Sequence, residues 1–143
     1  MKSSIFLSII ALTATGTADP TVSPRADGYC NTVKNVKGKG SDNGYTIPYP
    51  ALKGGGSCIM NEGAEGAGVR SLQYSLNECY GKDPKYTLKV DGKYGPKTKA
   101  TVKYIQSWYN ELKEDGIWGP KTGAAFDWVG KKGDYESCVR ANV

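Results

Sequence analysis

Two similar stretches, DGKYGPKT at residues 91–98 and DGIWGPKT at residues 115–122, decide how the C-terminal half of this chain folds. In each copy the Asp-Gly pair predicts a tight turn, because the Asp side chain can accept backbone N–H groups and Gly can take a positive φ. The Gly-Pro pairs that follow, at 95–96 and 119–120, fit a helix N-cap and the first helical position, where proline's missing N–H costs nothing. The repeat therefore predicts two helix starts.

Apolar residues at helical spacing predict three helices in this half of the chain. Ahead of the first copy, where Gly81 suits a C-terminal cap, the stripe consists of Val69, Leu72, Leu76 and Cys79. The first copy leads into the longest predicted helix, whose stripe consists of Thr98, Val102, Ile105, Tyr109 and Leu112. The second copy leads into a shorter helix, ended by Gly130, whose apolar positions are Ala125, Phe126 and Val129.

The N-terminal half has a different composition. Residues 27–68 are rich in Gly, Ser and Asn and show no helical period, which predicts an irregular or strand-bearing arm. The predicted fold is therefore mainly α, a three-helix bundle with an irregular, disulfide-pinned N-terminal arm. Its expected parts are a signal peptide at 1–18, the arm at 19–65, the helical domain at 66–130, and a tail at 131–143 tied by a cysteine.

Residues 1–18 have the pattern of a secretory signal peptide. One Lys precedes an apolar stretch at residues 5–12, and small residues come before Asp19. We expect a secreted, extracellular protein with no membrane segment. Removing the signal peptide takes away Lys2, so the formal net charge falls from +5 to +4, which favours polyanionic partners such as cell-wall polymers or nucleic acid.

The cysteine count predicts two disulfides. Cys30, Cys58, Cys79 and Cys138 form an even set in a chain expected to be exported. Of the three possible connectivities we favour Cys58 with Cys79, which would join a loop to a helix end, and Cys30 with Cys138, which would join the domain's two ends. The chain has no histidine and no C-x-x-C pair, so the sequence argues against a zinc site.

Three motifs in order resemble the peptidoglycan-binding domain of the type-one family. They are GVRSLQYSLNECYG, LKVDGKYGPKTKATVKYIQSWY and EDGIWGPKTGAAF, and the resemblance covers about residues 66–128. It implies a three-helix module that binds peptidoglycan. We expect a monomer without a cofactor, whose partner is peptidoglycan or another anionic wall polymer and neither nucleic acid nor a membrane. A narrower resemblance, to small secreted proteins with a cysteine-containing arm, extends from Cys30 to Cys138.

Catalysis is not predicted. Without histidine, Ser-His-Asp, Cys-His and H-E-x-x-H sites are excluded. A two-carboxylate glycosidase is the remaining enzyme hypothesis. Its candidate residues, none of which lies in a recognisable motif, are Glu62, Glu65, Glu78, Glu111, Glu114 and Glu136. A further alternative is a secreted effector, inhibitor or antimicrobial protein that uses the same module on another partner.

Several side chains are candidates for ligand contact, each with a structural alternative. Aromatic residues within the repeats can enter the core, which we favour, or face a ligand. Glutamines at the family's positions can be buried hydrogen-bonding groups or can meet the ligand's peptide. Tyr104 and Trp108 share one helix face, where they can stack on sugars or pack under the arm. The predicted ligand-binding residues are Tyr94, Trp118, Gln73, Gln106, Tyr104, Trp108, Lys97 and Lys121.

Overall fold

The structure is a computed structural model of the 143-residue chain and describes residues 28–143. The predicted signal peptide lies outside the described residues. In chain order the elements are β1 (Thr32–Lys37), β2 (Thr46–Ala51), α1 (Ala67–Tyr80), α2 (Pro96–Gln106), α3 (Pro120–Ala125), β3 (Asp127–Lys132) and β4 (Tyr135–Arg140). The fold between residues 28 and 143 is thus mixed α/β, and the prediction of a mainly α bundle is wrong. No helix within residues 28–143 is long and apolar enough to cross a membrane.

The strands form an antiparallel sheet in the order β1-β2-β3-β4. It is built from two hairpins, β1–β2 and β3–β4, each paired along its whole length. Between the hairpins, the described strands β2 and β3 pair only at Thr46 and Lys131. The outer strands also meet at one end, since Lys39 N donates to Arg140 O at 2.8 Å and Asn142 N donates to Lys37 O at 2.9 Å. Away from this end, β2 and β3 separate and leave an opening in the sheet.

Helix α1 fills the opening between β2 and β3. Ser71 Oγ donates to the Pro48 carbonyl, and Ser75 Oγ accepts from Val129 N at 3.1 Å. These hydroxyls satisfy backbone groups that the separated strands leave without a ladder partner, as buried backbone groups require. Gly68 lets the helix approach closely, because a Cβ there would lie 2.9 Å from the Thr32 carbonyl oxygen. One helix thus packs against strands from both halves of the chain.

The arm, predicted to be irregular or strand-bearing, forms β1 and β2, and the expected tail forms β4. Two prolines made β2 difficult to predict, since proline cannot donate to a ladder. Asn31 N donates to Ala51 O, so the backbone N–H and C=O groups of the odd-numbered residues of β2 point toward β1. The nitrogens of Pro48 and Pro50 therefore point away from β1, toward β3. Their lack of an N–H breaks no ladder there, because β2 pairs with β3 only at Thr46.

The helices differ from the predicted ones at their C-terminal ends. Helix α1 ends at Tyr80 and Gly81 caps it, as predicted. Helix α2 ends at Gln106, short of the predicted end at Leu112, because the chain tightens into i+3 turns in which Tyr109 N donates to Gln106 O at 3.0 Å. Helix α3 ends at Ala125, and the predicted helical residues that follow it enter β3 instead. The longest helix is therefore α1, not α2.

The disulfides join Cys30 to Cys58 and Cys79 to Cys138, so both favoured pairings are wrong. Cys30 lies beside Cys58 because Cys30 N donates to Ile59 O at 2.9 Å, which holds the two segments parallel. Cys79, near the end of α1, faces β4, where Cys138 is exposed. One bridge therefore closes the arm on itself, and the other attaches the helical module to the last strand.

Candidate functional site

Loop 1 (residues 91–95), the turn of the first repeat, is organised around Gln73 of α1. The Gln73 amide oxygen accepts from Asp91 N at 3.1 Å and Gly92 N at 2.9 Å. Its amide nitrogen donates to Asp91 Oδ1, to the Lys93 carbonyl at 2.9 Å and to Thr98 Oγ1 at 3.2 Å. Gln73 is 1% exposed, so a buried amide, and not solvent, satisfies the backbone groups of Asp91, Gly92 and Lys93 that bind it.

Loop 2 (residues 115–119), the turn of the second repeat, has the same arrangement around Gln106 of α2. The Gln106 amide oxygen accepts from Gly116 N at 2.8 Å. Its nitrogen donates to the Ile117 carbonyl at 2.9 Å and to Thr122 Oγ1 at 3.0 Å. Gln106 is also buried. The structure thus places both predicted glutamines inside the fold, as buried hydrogen-bonding groups; a ligand role for them stays a prediction.

The aspartates of the two loops act as turn residues. Asp91 Oδ1 accepts from Lys93 N and Asp115 Oδ1 accepts from Ile117 N, each at 2.9 Å. The Lys93 backbone N–H, followed by the Gln73 amide, lowers the pKa of the Asp91 carboxyl because both bonds favour the charged form. Gly92 and Gly116 take the positive φ that the sequence predicted, +73° and +70°.

The aromatic side chains of the repeats are buried. Tyr94 is 2% and Trp118 is 1% exposed. Tyr94 Oη donates to the Gly116 carbonyl at 2.7 Å, which ties loop 1 to loop 2, and burial raises the pKa of this phenol. The Trp118 ring packs against Tyr49 of β2 at a centroid distance of 5.6 Å. Their burial favours the core alternative, and direct ligand contact by either residue stays a prediction.

Tyr104 and Trp108 do lie together at the surface. Their ring centroids are 5.4 Å apart in an edge-to-face arrangement. Tyr86, from the turn at Pro84–Tyr86, stacks on Tyr104 with centroids 3.8 Å apart and planes inclined by 6°. We call Tyr86, Tyr104 and Trp108 the aromatic surface. Trp108 is 51% exposed, whereas both tyrosines are half-buried.

The aromatic surface is supported from beneath by Tyr80 of α1. The Tyr80 ring meets Trp108 edge-on at 5.6 Å. Tyr80 Oη lies 2.8 Å from Tyr109 Oη and accepts from Asp127 N at 2.7 Å, and burial raises its pKa. Tyr80 is therefore fixed by hydrogen bonds, and it in turn restricts the orientation of Trp108.

Two lysines lie beside this surface. Lys85 Nζ lies 5.5 Å from the Tyr86 ring centroid, and Lys103 is exposed next to Tyr104 on α2. The predicted ligand residues Lys97 and Lys121 are both exposed, one near the start of each of α2 and α3. The aromatic surface is therefore accessible and flanked by positive charge, which suits an anionic polymer that also offers apolar faces.

Sequence reasoning missed Tyr86 and Tyr80. Tyr86 lies in a Lys-rich connector without a periodic pattern, and its stacking on Tyr104 depends on the turn at Pro84–Tyr86. Tyr80 is the last residue of α1 and lies within the first family-like motif, but no spacing rule links it to Trp108. Within residues 28–143, no group of three or more His, Cys, Asp or Glu residues could hold a metal ion.

A family model described as a putative peptidoglycan binding domain matches residues 65–126, which contain α1, α2, α3 and both loops. A solved structure, described as the crystal structure of the SleB N-terminal domain, is 34% identical and covers 45% of this chain and 81% of that one, with a TM-score of 0.39. On the family match and this identity, the chain belongs to the family of peptidoglycan-binding domains. The search of curated proteins gave no match. All four strands lie outside the matched residues.

Proposed function

We propose that this chain is an extracellular protein that binds peptidoglycan without cleaving it, and that the aromatic surface contacts the sugar chains. Family membership supports peptidoglycan as the polymer. The disulfides support an oxidising compartment such as the outside of the cell, and so does the predicted signal peptide. The observation that carries the proposal is the contiguous ring surface of Tyr86, Tyr104 and Trp108, in which Trp108 is exposed and both tyrosines are half-buried.

Singly exposed apolar residues need no explanation, but here the rings are contiguous and held in fixed orientations. Trp108 is in edge-on contact with both Tyr104 and Tyr80, so little side-chain freedom is left to lose on binding. Aromatic rings can stack on the apolar faces of sugars, and Trp and Tyr can add a hydrogen bond. The neighbouring lysines would attract the carboxylates of the wall peptides, an attraction that salt weakens.

The positions of the carboxylates support binding without cleavage. A glycosidase needs a general acid whose pKa is raised, usually by an apolar and partly buried setting. All six candidate glutamates are exposed. For Glu136 the effect is the opposite, because Lys131 and then Tyr74 lower the pKa of its carboxyl. None of these residues has the setting of a glycosidase acid.

Co-sedimentation with purified insoluble peptidoglycan tests the proposal, with chitin and cellulose as comparison polymers. We expect the wild-type protein to pellet with peptidoglycan at low salt. Trp108→Ala is expected to weaken the apparent affinity about tenfold, which corresponds to about 1.4 kcal/mol. Tyr135→Ala is the matched control, because Tyr135 is 77% exposed on β4, away from the aromatic surface.

Two results would contradict the proposal. If the wild-type protein stays in the supernatant at low salt, peptidoglycan is not its ligand, and the effector, inhibitor or antimicrobial alternative takes its place. If a peptidoglycan suspension loses turbidity and gains reducing ends or free amines on incubation with the protein, the non-cleaving part of the proposal is wrong. Equal affinities for Trp108→Ala and Tyr135→Ala would remove the aromatic surface from the contact.

A further inference from the structure

The first repeat and the connector before it carry a concentration of lysines. Residues 82–103 contain seven lysines and two acidic residues, a formal net charge of +5. The whole chain also has a formal net charge of +5, so the rest of it contains twelve cations and twelve acids. Six of the seven lysines are exposed, and we call these six the lysine face. They are Lys82, Lys85, Lys89, Lys93, Lys97 and Lys103.

The second repeat shows that the fold of a repeat does not require these charges. Asp91 and Asp115 are 24 positions apart, so residues 106–127 correspond to residues 82–103. The corresponding segment contains two lysines and four acidic residues, a formal net charge of −2. It nevertheless forms the same turn and the same proline-initiated helix start. The positive charge is therefore an addition to the first repeat and not a requirement of its fold.

Contacts among the described residues hold the lysine face around loop 1 and the start of α2. Thr101 Oγ1 donates to the carbonyls of Tyr86 at 3.3 Å and Lys97 at 3.0 Å. These bonds hold the turn that contains Tyr86, and with it the preceding lysine, against the first turn of α2. Lys89 and Lys93 flank the Asp-Gly turn of loop 1, directly before this helix. The lysines thus come from three consecutive segments that contact one another.

The acidic residues of residues 82–103 do not pair with the lysine face. Asp83 Oδ1 accepts from Lys85 N and Asp91 Oδ1 accepts from Lys93 N, each at 2.9 Å, so both aspartates are turn residues. In the described part of the chain, no lysine of this face forms an ion pair. Charges spread over the whole surface would serve solubility equally well. Their concentration around one loop instead creates a local field that attracts anions.

The type of cation indicates the type of anion. Every cation within residues 82–103 is a lysine, and none is an arginine. A lysine ammonium is a point charge on a flexible stem and binds phosphate without a fixed orientation, whereas the arginine fork favours planar, bidentate contacts. The lysine face therefore suits a flexible polymer on which a phosphate charge is regularly repeated.

Single-stranded nucleic acid is such a polymer, but its binding also requires free rings on which successive bases stack. Tyr86 and Tyr104 stack on each other at 3.8 Å, and the Lys85 ammonium lies over the Tyr86 ring, 5.5 Å from its centroid. Trp108, 51% exposed, is then the most accessible ring of the aromatic surface. One accessible ring is not a platform for successive bases, so these contacts favour a phosphate polymer without bases.

We propose that the lysine face is a second binding site, which takes a flexible polymer of polyols joined by phosphodiesters. The phosphates contact the lysine ammonium groups in no fixed register, so charge and not shape determines the affinity. The phosphate chemistry is inferred from the lysine face alone. Its assignment to a polymer of the cell wall rests on the proposed function.

Fluorescence anisotropy with labelled polyglycerol phosphate tests the proposal on the wild-type protein. We expect binding at low salt that weakens about tenfold when NaCl is raised from about 50 to about 200 mM, because each phosphate contact displaces counterions. Absence of binding at low salt would overturn the proposal. Tighter binding of oligothymidylate at the same phosphate concentration would also overturn it, in favour of nucleic acid.

Two triple variants separate the lysine face from the net charge of the protein. Replacing three lysines around loop 1 by Gln is expected to weaken polymer binding about tenfold and to flatten its salt dependence. The control replaces three exposed lysines of the arm, which changes the net charge equally, and it should bind nearly like the wild type. Equal weakening in both variants would overturn the proposal. The substitutions are Lys89→Gln, Lys93→Gln and Lys97→Gln in the first variant, and Lys34→Gln, Lys39→Gln and Lys53→Gln in the control.

Sedimentation with peptidoglycan from which phosphate polymers have been stripped distinguishes this proposal from the proposed function. If the protein pellets with stripped peptidoglycan but does not bind polyglycerol phosphate, the lysine-face proposal is overturned and the proposed function stands. If the protein binds polyglycerol phosphate but stays in the supernatant with stripped peptidoglycan, the lysine face is a phosphate-polymer site and the proposed function falls.

Discussion

Loop 1 and loop 2 belong to repeats of nearly the same eight residues, yet they differ in what surrounds them. Both turns are organised around a buried glutamine, both glycines have positive φ, and both helices begin with proline. The difference begins at the aromatic residue. Tyr94 of loop 1 has its hydroxyl paired, whereas Trp118 of loop 2 is buried with an indole N–H that has no partner within residues 28–143.

A second difference lies at the fourth helical position, four residues after the N-cap glycine of each helix. Lys99 of α2 corresponds to Gly123 of α3, and the glycine leaves room for Tyr49. The repeated residues therefore determine the turn and the helix start. The residues that are not repeated determine how the aromatic side chain of each loop is packed: the Tyr94 hydroxyl is paired, and the Trp118 indole N–H has no partner within residues 28–143.

The largest effect is expected from removing the buried amides. Gln73→Met keeps the side-chain length but leaves Gly92 N, among other groups, without its partner, and is expected to lower the free energy of unfolding by about 3 kcal/mol. Gln106→Met should cost about 2 kcal/mol, because fewer backbone N–H groups bind its oxygen. Urea unfolding measures both changes.

Glu78→Met is the control for these substitutions, because Glu78 is exposed on the same helix as Gln73. We expect it to change the free energy of unfolding by less than about 0.5 kcal/mol. If Gln73→Met were as mild as this control, the shared construction of the two loops would not depend on the buried amide.

Gly123→Ala tests the space that distinguishes the second repeat. A Cβ at this position would lie 1.9 Å from Tyr49 Oη and 2.5 Å from a carbon of the Trp118 ring, so the side chains must shift. We expect a loss of about 2 kcal/mol, since overpacking outweighs the better helix propensity of alanine. Lys99→Ala, at the corresponding position of α2, should change the free energy of unfolding by less than about 0.5 kcal/mol.

Combining Gly123→Ala with Tyr49→Phe sharpens this test, because the second substitution removes the atom nearest to the new methyl group. The double variant should recover part of the lost stability, which a double-mutant cycle measures as a coupling energy. Strict additivity of the two changes would mean that Gly123 is not required for the position of Tyr49.

The sequence was sufficient for features that depend on local chemistry. The turns at Asp91 and Asp115, the Gly-Pro helix starts and the capped helix α1 all follow from residue types at short spacing. It was insufficient where one pattern fits two structures. Ala125, Phe126 and Val129 have helical spacing, but a short apolar run is equally compatible with a buried strand, and β3 begins at Asp127.

The candidate site was predictable only in part, for a related reason. Tyr104 and Trp108 are four residues apart, so helical spacing predicted that they share a face, and they are in contact although α2 ends at Gln106. Tyr86 reaches them through a turn, and the burial of Trp118 requires the arm to pack Tyr49 against it. The disulfide partners depend on the same tertiary contacts, which the number of cysteines does not specify.

A smaller effect separates the hydroxyls of Tyr94 and Tyr49. Tyr94→Phe removes the bond to the Gly116 carbonyl and is expected to cost about 1 kcal/mol. Tyr49→Phe removes a hydroxyl that has no partner within residues 28–143, so stability should stay the same or rise. Thermal unfolding compares the two variants. An equal loss for both would mean that the Tyr49 hydroxyl is satisfied in solution.

The smallest effect is expected from the charge in loop 1, because Asp91 is exposed. Its folded-state pKa is lowered, first by the Lys93 N–H and then by Gln73, so the carboxylate stabilises the fold above its unfolded pKa of about 3.9. That contribution is lost as the pH falls through the folded-state value. Asp91→Asn should therefore be less stable than the wild type at pH 7, with the difference shrinking below about pH 4.

Unfolding midpoints measured between about pH 7 and pH 2 test this expectation. Asp91→Asn should retain some acid sensitivity, because the Glu136 pKa is also lowered, chiefly by Lys131. Glu136→Gln is therefore the matched variant, since it removes that other contribution and leaves loop 1 intact. If the difference between Asp91→Asn and the wild type were the same at every pH, the turn would depend on the shape of the Asp91 side chain and not on its charge.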